Sequence, residues 1–114
     1  MNDQPIDAAT FAELKDTAGA DFVSDLVATF VDEEAPQMLA ELRAARAEGA
    51  VERFRRAAHS LKSNANTFGA LALGEMARAL ELGGVPADEA PLTALEAAYA
   101  DAAAALQRFT ATRA

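Results

Sequence analysis

His59 is the only histidine in the 114-residue chain, and it stands in the stretch Ala58-His59-Ser60-Leu61-Lys62-Ser63-Asn64-Ala65-Asn66-Thr67-Phe68-Gly69. An exposed imidazole is mostly neutral near neutral pH and keeps one ring nitrogen free as a nucleophile, so residue type alone opens nucleophilic or proton-transfer chemistry. Spacing decides whether the ring is exposed. On a helix of 3.6 residues per turn, Phe54, Ala57, Ala58, Leu61, Ala65 and Phe68 share one stripe, which must be the buried side. His59 then points about 140° from Phe54, with Arg55, Lys62 and Asn66 around it and Ser63 a little further round. From Arg53 to Gly74 there is no acid, yet Arg53, Arg55, Arg56 and Lys62, four of the ten basic residues, all lie there. A solvated basic helix face is the bland reading of such a run. The lone histidine inside it favours a working surface.

Other chemistries find less support. A metal site needs further donors, and no Asp, Glu or Cys lies on the histidine's own helical face. Hydrolysis through Ser60 or Ser63 needs a third group to orient the histidine, and none is evident locally. No G-x-x-x-x-G-K-[ST] loop or nucleotide-binding glycine pattern is present, so ATP is not expected as a direct phosphate source.

Composition bounds the rest. The length suits one domain, residues 1–114, and 52% hydrophobic content supports a single core. Without cysteine, neither disulfides nor thiolate zinc sites can contribute. A formal net charge of -8 argues against nucleic-acid binding. No apolar run approaches the ~18 residues of a membrane span and the first residues lack a signal-like segment, so a cytoplasmic protein without membrane association is expected.

The elements that must hold the histidine follow from helical periodicity, which runs almost end to end and makes the class all-α. A short first helix starts at a Thr10–Glu13 capping box, with Asp7 as a competing start, and ends at Gly19. The second runs from about Asp21 to Glu48 as one bent rod, kinked near Asp32 to Pro36, with Phe22, Val23, Leu26, Val27, Phe30, Val31, Met38, Leu39 and Leu42 inward. The third, about Val51 to Thr67, carries His59 and has no good side-chain cap at Ala50. Gly69 turns the chain into a fourth, about Ala70 to Leu82. After Gly83-Gly84-Val85-Pro86 a last helix begins between Asp88 and Pro91 and runs to about Ala111. Short connections predict an antiparallel up-and-down four-helix bundle with the short N-terminal helix packed on one end.

The string His59-Ser60-Leu61-Lys62-Ser63, with Gly69 ten residues after the histidine and Leu80-Glu81 beyond it, resembles the histidine-containing phosphotransfer (HPt) domain of two-component phosphorelays. The resemblance covers essentially the whole chain, including the Phe54-Arg55-Arg56-Ala57-Ala58 lead-in. It implies that His59 is the phosphoacceptor, exchanging a phosphoryl group with aspartates of receiver domains of hybrid histidine kinases and response regulators. It implies that Lys62 is the cation beside the phosphohistidine, and that Ser63 fills a position where bulk would obstruct the receiver's loops. Gly69 resembles the family's small residue at the central turn. Arg55 and Arg56, with Ser63, Asn66 and Gly69, are the expected partner-binding residues. Loose phosphoryl transfer asks for in-line positioning and positive charge, which Lys62 can supply. No intrinsic cofactor is expected; magnesium would sit on the receiver's aspartates. The chain would be a monomeric carrier, not an ATP-dependent kinase. The competing reading is a helical adaptor that binds a signalling partner through the same face without chemistry.

Overall fold

The computed structural model describes residues 5–111, and every regular element among them is helical. In chain order these are α1 (Ala8–Ala18), α2 (Ala20–Thr29), a π turn (Phe30–Glu34), α3 (Ala35–Glu48), α4 (Val51–Thr67), α5 (Leu71–Gly83) and α6 (Ala90–Ala111). The α2–α3 rod, α4, α5 and α6 make the four-helix bundle, and α1 packs across α2 and α4. All-α class and the bundle with an extra N-terminal helix are as the periodicity predicts.

One rod does run from Ala20 to Glu48, and its irregularity falls where Pro36 was expected to act. A proline lacks the N–H and crowds the carbonyl four residues back. The chain accommodates it with one wider turn, in which the Ala35 N–H donates to the Phe30 carbonyl. Continued with the same spacing, the Val31 carbonyl would face Pro36, which has nothing to donate. The Tyr99 hydroxyl from α6 donates to that carbonyl instead, at 2.6 Å. Phe30 fixes the turn from within, its ring 5.1 Å from Phe68 and 6.3 Å from Tyr99.

Two expectations are corrected. Helix α1 is capped by Asp7 and not by Thr10: the Asp7 carboxylate accepts from the Thr10 N–H at 3.0 Å and from its hydroxyl at 2.6 Å. Asp7 prevails because tertiary structure fixes its backbone, whose N–H donates to the Gly69 carbonyl at 2.7 Å. Phe22, expected inward, is 56% exposed. Val23, Val27 and Phe30 set the inward direction of α2, and Phe22 stands about 100° from Val23.

Candidate functional site

Helix α4 begins without a side-chain cap at Ala50, as its sequence implies, with only Glu52 in its first turn to meet the free N–H groups. Packing therefore has to hold it. Phe54, Ala57, Ala58, Leu61 and Ala65 are its buried side, and Arg53 ties it to α3 through a two-nitrogen ion pair with Glu41 at 2.7 and 3.0 Å. On the opposite flank α5 lies close, because Gly74 has no side chain. A Cβ there would collide with the Asn66 amide oxygen. The same contact marks the antiparallel register: Gly74 meets Asn66, and Glu81, two turns on, meets His59.

His59 is 55% exposed, as the α4 periodicity predicts, whereas the Glu81 carboxylate beside it is only 13% exposed. Glu81 Oε2 lies 2.8 Å from His59 Nδ1, and Oε1 meets Lys62 Nζ at 3.0 Å in an ion pair set off the hydrogen-bonding direction. An ionised carboxylate can only accept, so the neutral form of the imidazole carries its proton on Nδ1 and its lone pair on Nε2. Lys62, and after it His59, hold the Glu81 carboxyl below the usual carboxylate range. Glu81 stays ionised at neutral pH, and the ring is presented with one nitrogen tied down and the other free.

The absence of an orienting group, expected from local sequence, is thus overturned: the group comes from α5. It does not revive a serine hydrolase, since among the described residues no hydrogen bond joins His59 to Ser60 or Ser63. Nor does it make a metal centre. Among the described residues no three His, Cys, Asp or Glu side chains group to hold an ion.

The acid-free run is not acid-free in space. Acids outside it come back to pair with its cations: Glu41 and Glu48 with Arg53, Glu52 with Arg55 and Glu81 with Lys62. Arg56 makes no ion pair among the described residues. Arg55, Arg56, Ser63 and Asn66 all lie on the exposed surface of α4 with His59. Gly69 does not join them. It is buried under the start of α1, with a φ of +84° and room for no Cβ, because one would lie 2.9 Å from the Asp7 carbonyl oxygen. Its carbonyl serves the docking of α1, not a partner. On the other side of α4 an open cleft of about 510 Å³ runs along α3, with Glu34, Gln37, Glu41 and Arg56 among its polar walls.

Glu81 was not among the site residues that sequence reasoning selected. The available signal was its spacing from Gly74: seven residues place a small residue and an acid on one face of α5, two turns apart.

Comparison with known proteins agrees with this geometry. No curated protein and no solved structure gives a significant match. The family profile described as Hpt domain matches residues 25–105, well over half of the chain, and the matched segment runs from α2 into α6 with His59, Lys62 and Glu81 inside it. With that match and an outward histidine on the central helix of a four-helix bundle, the chain belongs to the Hpt domain family, whose members pass phosphoryl groups through histidine in two-component signalling.

Proposed function

We propose that His59 carries a phosphoryl group in transit between aspartates of receiver domains belonging to hybrid histidine kinases and response regulators. The observation that carries this reading is the Glu81–His59 contact, which leaves Nε2 as the free nitrogen on an exposed ring. In the forward step the Nε2 lone pair attacks phosphorus in line. An N–P bond forms, the P–O bond to the receiver's aspartate breaks, and the carboxylate departs with the electron pair. No proton has to leave, because Nδ1–H keeps donating to Glu81, and that carboxylate offsets the positive charge the ring acquires. The return step reverses these changes when the next receiver's aspartate attacks.

In this reading Lys62, paired with Glu81 at 3.0 Å, swings to the phosphoryl oxygens, where positive charge matters most in a loose transition state. The remaining charge neutralisation would come from magnesium held by the partner's aspartates. The chain is a carrier and co-substrate without ATP-dependent kinase activity, acting as a cytoplasmic monomer. Among the described residues no helix is long and apolar enough to cross a membrane.

The test is incubation with a receiver domain charged by a labelled acyl phosphate. The chain should acquire an acid-labile, base-stable phosphate, and His59→Gln should remain folded yet acquire none. An adaptor would bind the receiver equally well with or without the imidazole; labelling that survives His59→Gln would end the proposal.

A further inference from the structure

Helix α1 joins α2 through a single residue. Gly19 stands between Ala18 and Ala20 with φ +92° and ψ 143°, a conformation that residues with a Cβ rarely adopt. Helical hydrogen bonding nevertheless reaches Gly19 from both sides: its N–H donates to the Lys15 carbonyl at 2.8 Å, and its carbonyl accepts from the Val23 N–H at 3.0 Å. At this corner the helical bonds from Ala20, Asp21 and Phe22 back to Asp16, Thr17 and Ala18 are unmade, and no side chain caps the start of α2 in their place. Rotation of the Gly19 backbone into the α region would form them and join α1 to the α2–α3 rod.

The anchors that hold α1 down lie mostly off α2. The Asp7 N–H donates to the Gly69 carbonyl at 2.7 Å, and the Phe11 ring stands 5.1 Å from Phe109 of α6. Phe11 is the one buried residue of α1, and open hollows of about 320 and 610 Å³ lie along the helix, both with Phe109 in their walls. Helix α1 is thus held at points, not by close packing along its length. The α4–α5 turn and the end of α6 offer those points equally to the α1 of another copy. An isolated helix of 11 residues is marginal in water, and release would bare Ile6 and Phe11, so a released α1 has to dock again.

We infer that α1 is an exchangeable arm with a second copy of this chain as its partner. Gly19 straightens, α1 projects about 16 Å beyond its own bundle, and it docks in the equivalent groove of the other copy while receiving that copy's α1. Each Asp7–Gly69 and Phe11–Phe109 contact is remade between chains, and the straightened corner gains the missing helical bonds. The formal charge of -8 on each copy opposes association, which keeps the dilute chain monomeric and makes the exchanged dimer increase with salt. Exchange leaves His59 open in both copies, because Gly69 lies at the opposite end of the α4–α5 pair from Glu81. The inference goes beyond the phosphotransfer reading and does not rest on it.

The experiment compares wild type, Gly19→Ala and the control Gly49→Ala by size-exclusion chromatography with light scattering, after refolding at on the order of 1 mM. Alanine is disfavoured at φ +92° and favoured in a continuous helix, so Gly19→Ala should raise the dimerisation constant by about tenfold or more. Gly49→Ala places a Cβ at φ +66° in the α3–α4 corner, where no arm is released, and should lose stability without gaining dimer. In dimers refolded from equal amounts of isotope-labelled and unlabelled chains, filtered NOEs between the Phe11 and Phe109 rings should cross between chains. A folded Gly19→Ala that remains monomeric, or a dimer whose Phe11–Phe109 contact stays within one chain, would overturn the inference. If Gly19→Ala does not fold, the refolded wild type decides: a dimer with crossed Phe11–Phe109 contacts supports exchange, and a chain that stays monomeric at high salt overturns it.

Discussion

Glu81 Oε2 lies 2.8 Å from His59 Nδ1 across the α4–α5 interface, so a residue 22 positions away in sequence decides which imidazole nitrogen can react. With Glu81 present the neutral ring is held as one tautomer in one orientation. Glu81→Ala should leave it a mixture of tautomers, slow phosphoryl transfer by about tenfold, and allow phosphate on Nδ1 as well as Nε2. Glu81→Gln, which can still accept from Nδ1–H, should restore the preference for Nε2 without restoring the charge. Two-bond proton–nitrogen NMR of the imidazole reads both tautomer and phosphorylated nitrogen. A single Nδ1–H tautomer in Glu81→Ala would show that the ring is oriented by something else.

The same carboxylate gives stability a defined pH dependence. Lys62 and then His59 hold Glu81 below its ordinary value of 4.5. A carboxyl whose pKa is depressed by folding binds its proton less readily in the native state, so its contribution is full above the unfolded value and is lost as pH falls through the folded one. The difference in urea midpoint between wild type and Glu81→Gln should therefore still be present at pH 5 and shrink only as pH falls below 4.5. Glu41 and Glu52, also held low by Arg53 and Arg55, are common to both proteins and cancel in the comparison. A difference that collapses between pH 6 and 7 would place the titrating group elsewhere.

Lys62 pairs with Glu81 at 3.0 Å, and in the proposed transfer it turns to the phosphoryl oxygens. Lys62→Ala should slow transfer by about tenfold while leaving helix content unchanged. It should also let the Glu81 carboxyl titrate closer to its ordinary value, since Lys62 is the larger cause of its depression. Carbon-13 NMR of the Glu81 carboxyl follows the second effect independently of the first. An unaltered transfer rate alongside a raised Glu81 pKa would reduce Lys62 to a partner of the carboxylate with no share in the chemistry.

How far the site is legible in the sequence follows from what local periodicity can carry. The limits of α4 and the outward direction of His59 are properties of one helix, and the 3.6-residue repeat of Phe54, Ala58, Leu61 and Ala65 is enough to give them. Glu81 is a property of two helices. Its meeting with His59 depends on the register of α5 against α4, in which Gly74 falls opposite Asn66, and no single-helix pattern contains that register. The same limit explains the apparent acid-free surface, because Glu41, Glu48 and Glu81 arrive from other elements or turns. Asp7 and Thr10 are equally good caps by composition, and only the tie between the Asp7 N–H and Gly69 separates them. Phe22 reads as core because it neighbours core residues in sequence, but buried Val23, Val27 and Phe30 fix the inward side of α2 and leave Phe22 off it.

Gly69 shows how a motif position can be essential to the fold and remote from the chemistry. Its φ of +84° is costly for any residue with a Cβ, and that Cβ would sit 2.9 Å from the Asp7 carbonyl oxygen and 3.2 Å from Thr10 Cβ. Gly69→Ala must either strain the turn or push the start of α1 away, and should cost about 1–3 kcal/mol in urea unfolding. The Asp7 amide, which donates to the Gly69 carbonyl in the native fold, should lose hydrogen-exchange protection first. Because Gly69 lies at the opposite end of the α4–α5 pair from Glu81 and is covered by α1, the transfer rate per folded molecule should match wild type. A variant with native stability and impaired transfer would return Gly69 to the partner surface from which its burial removes it.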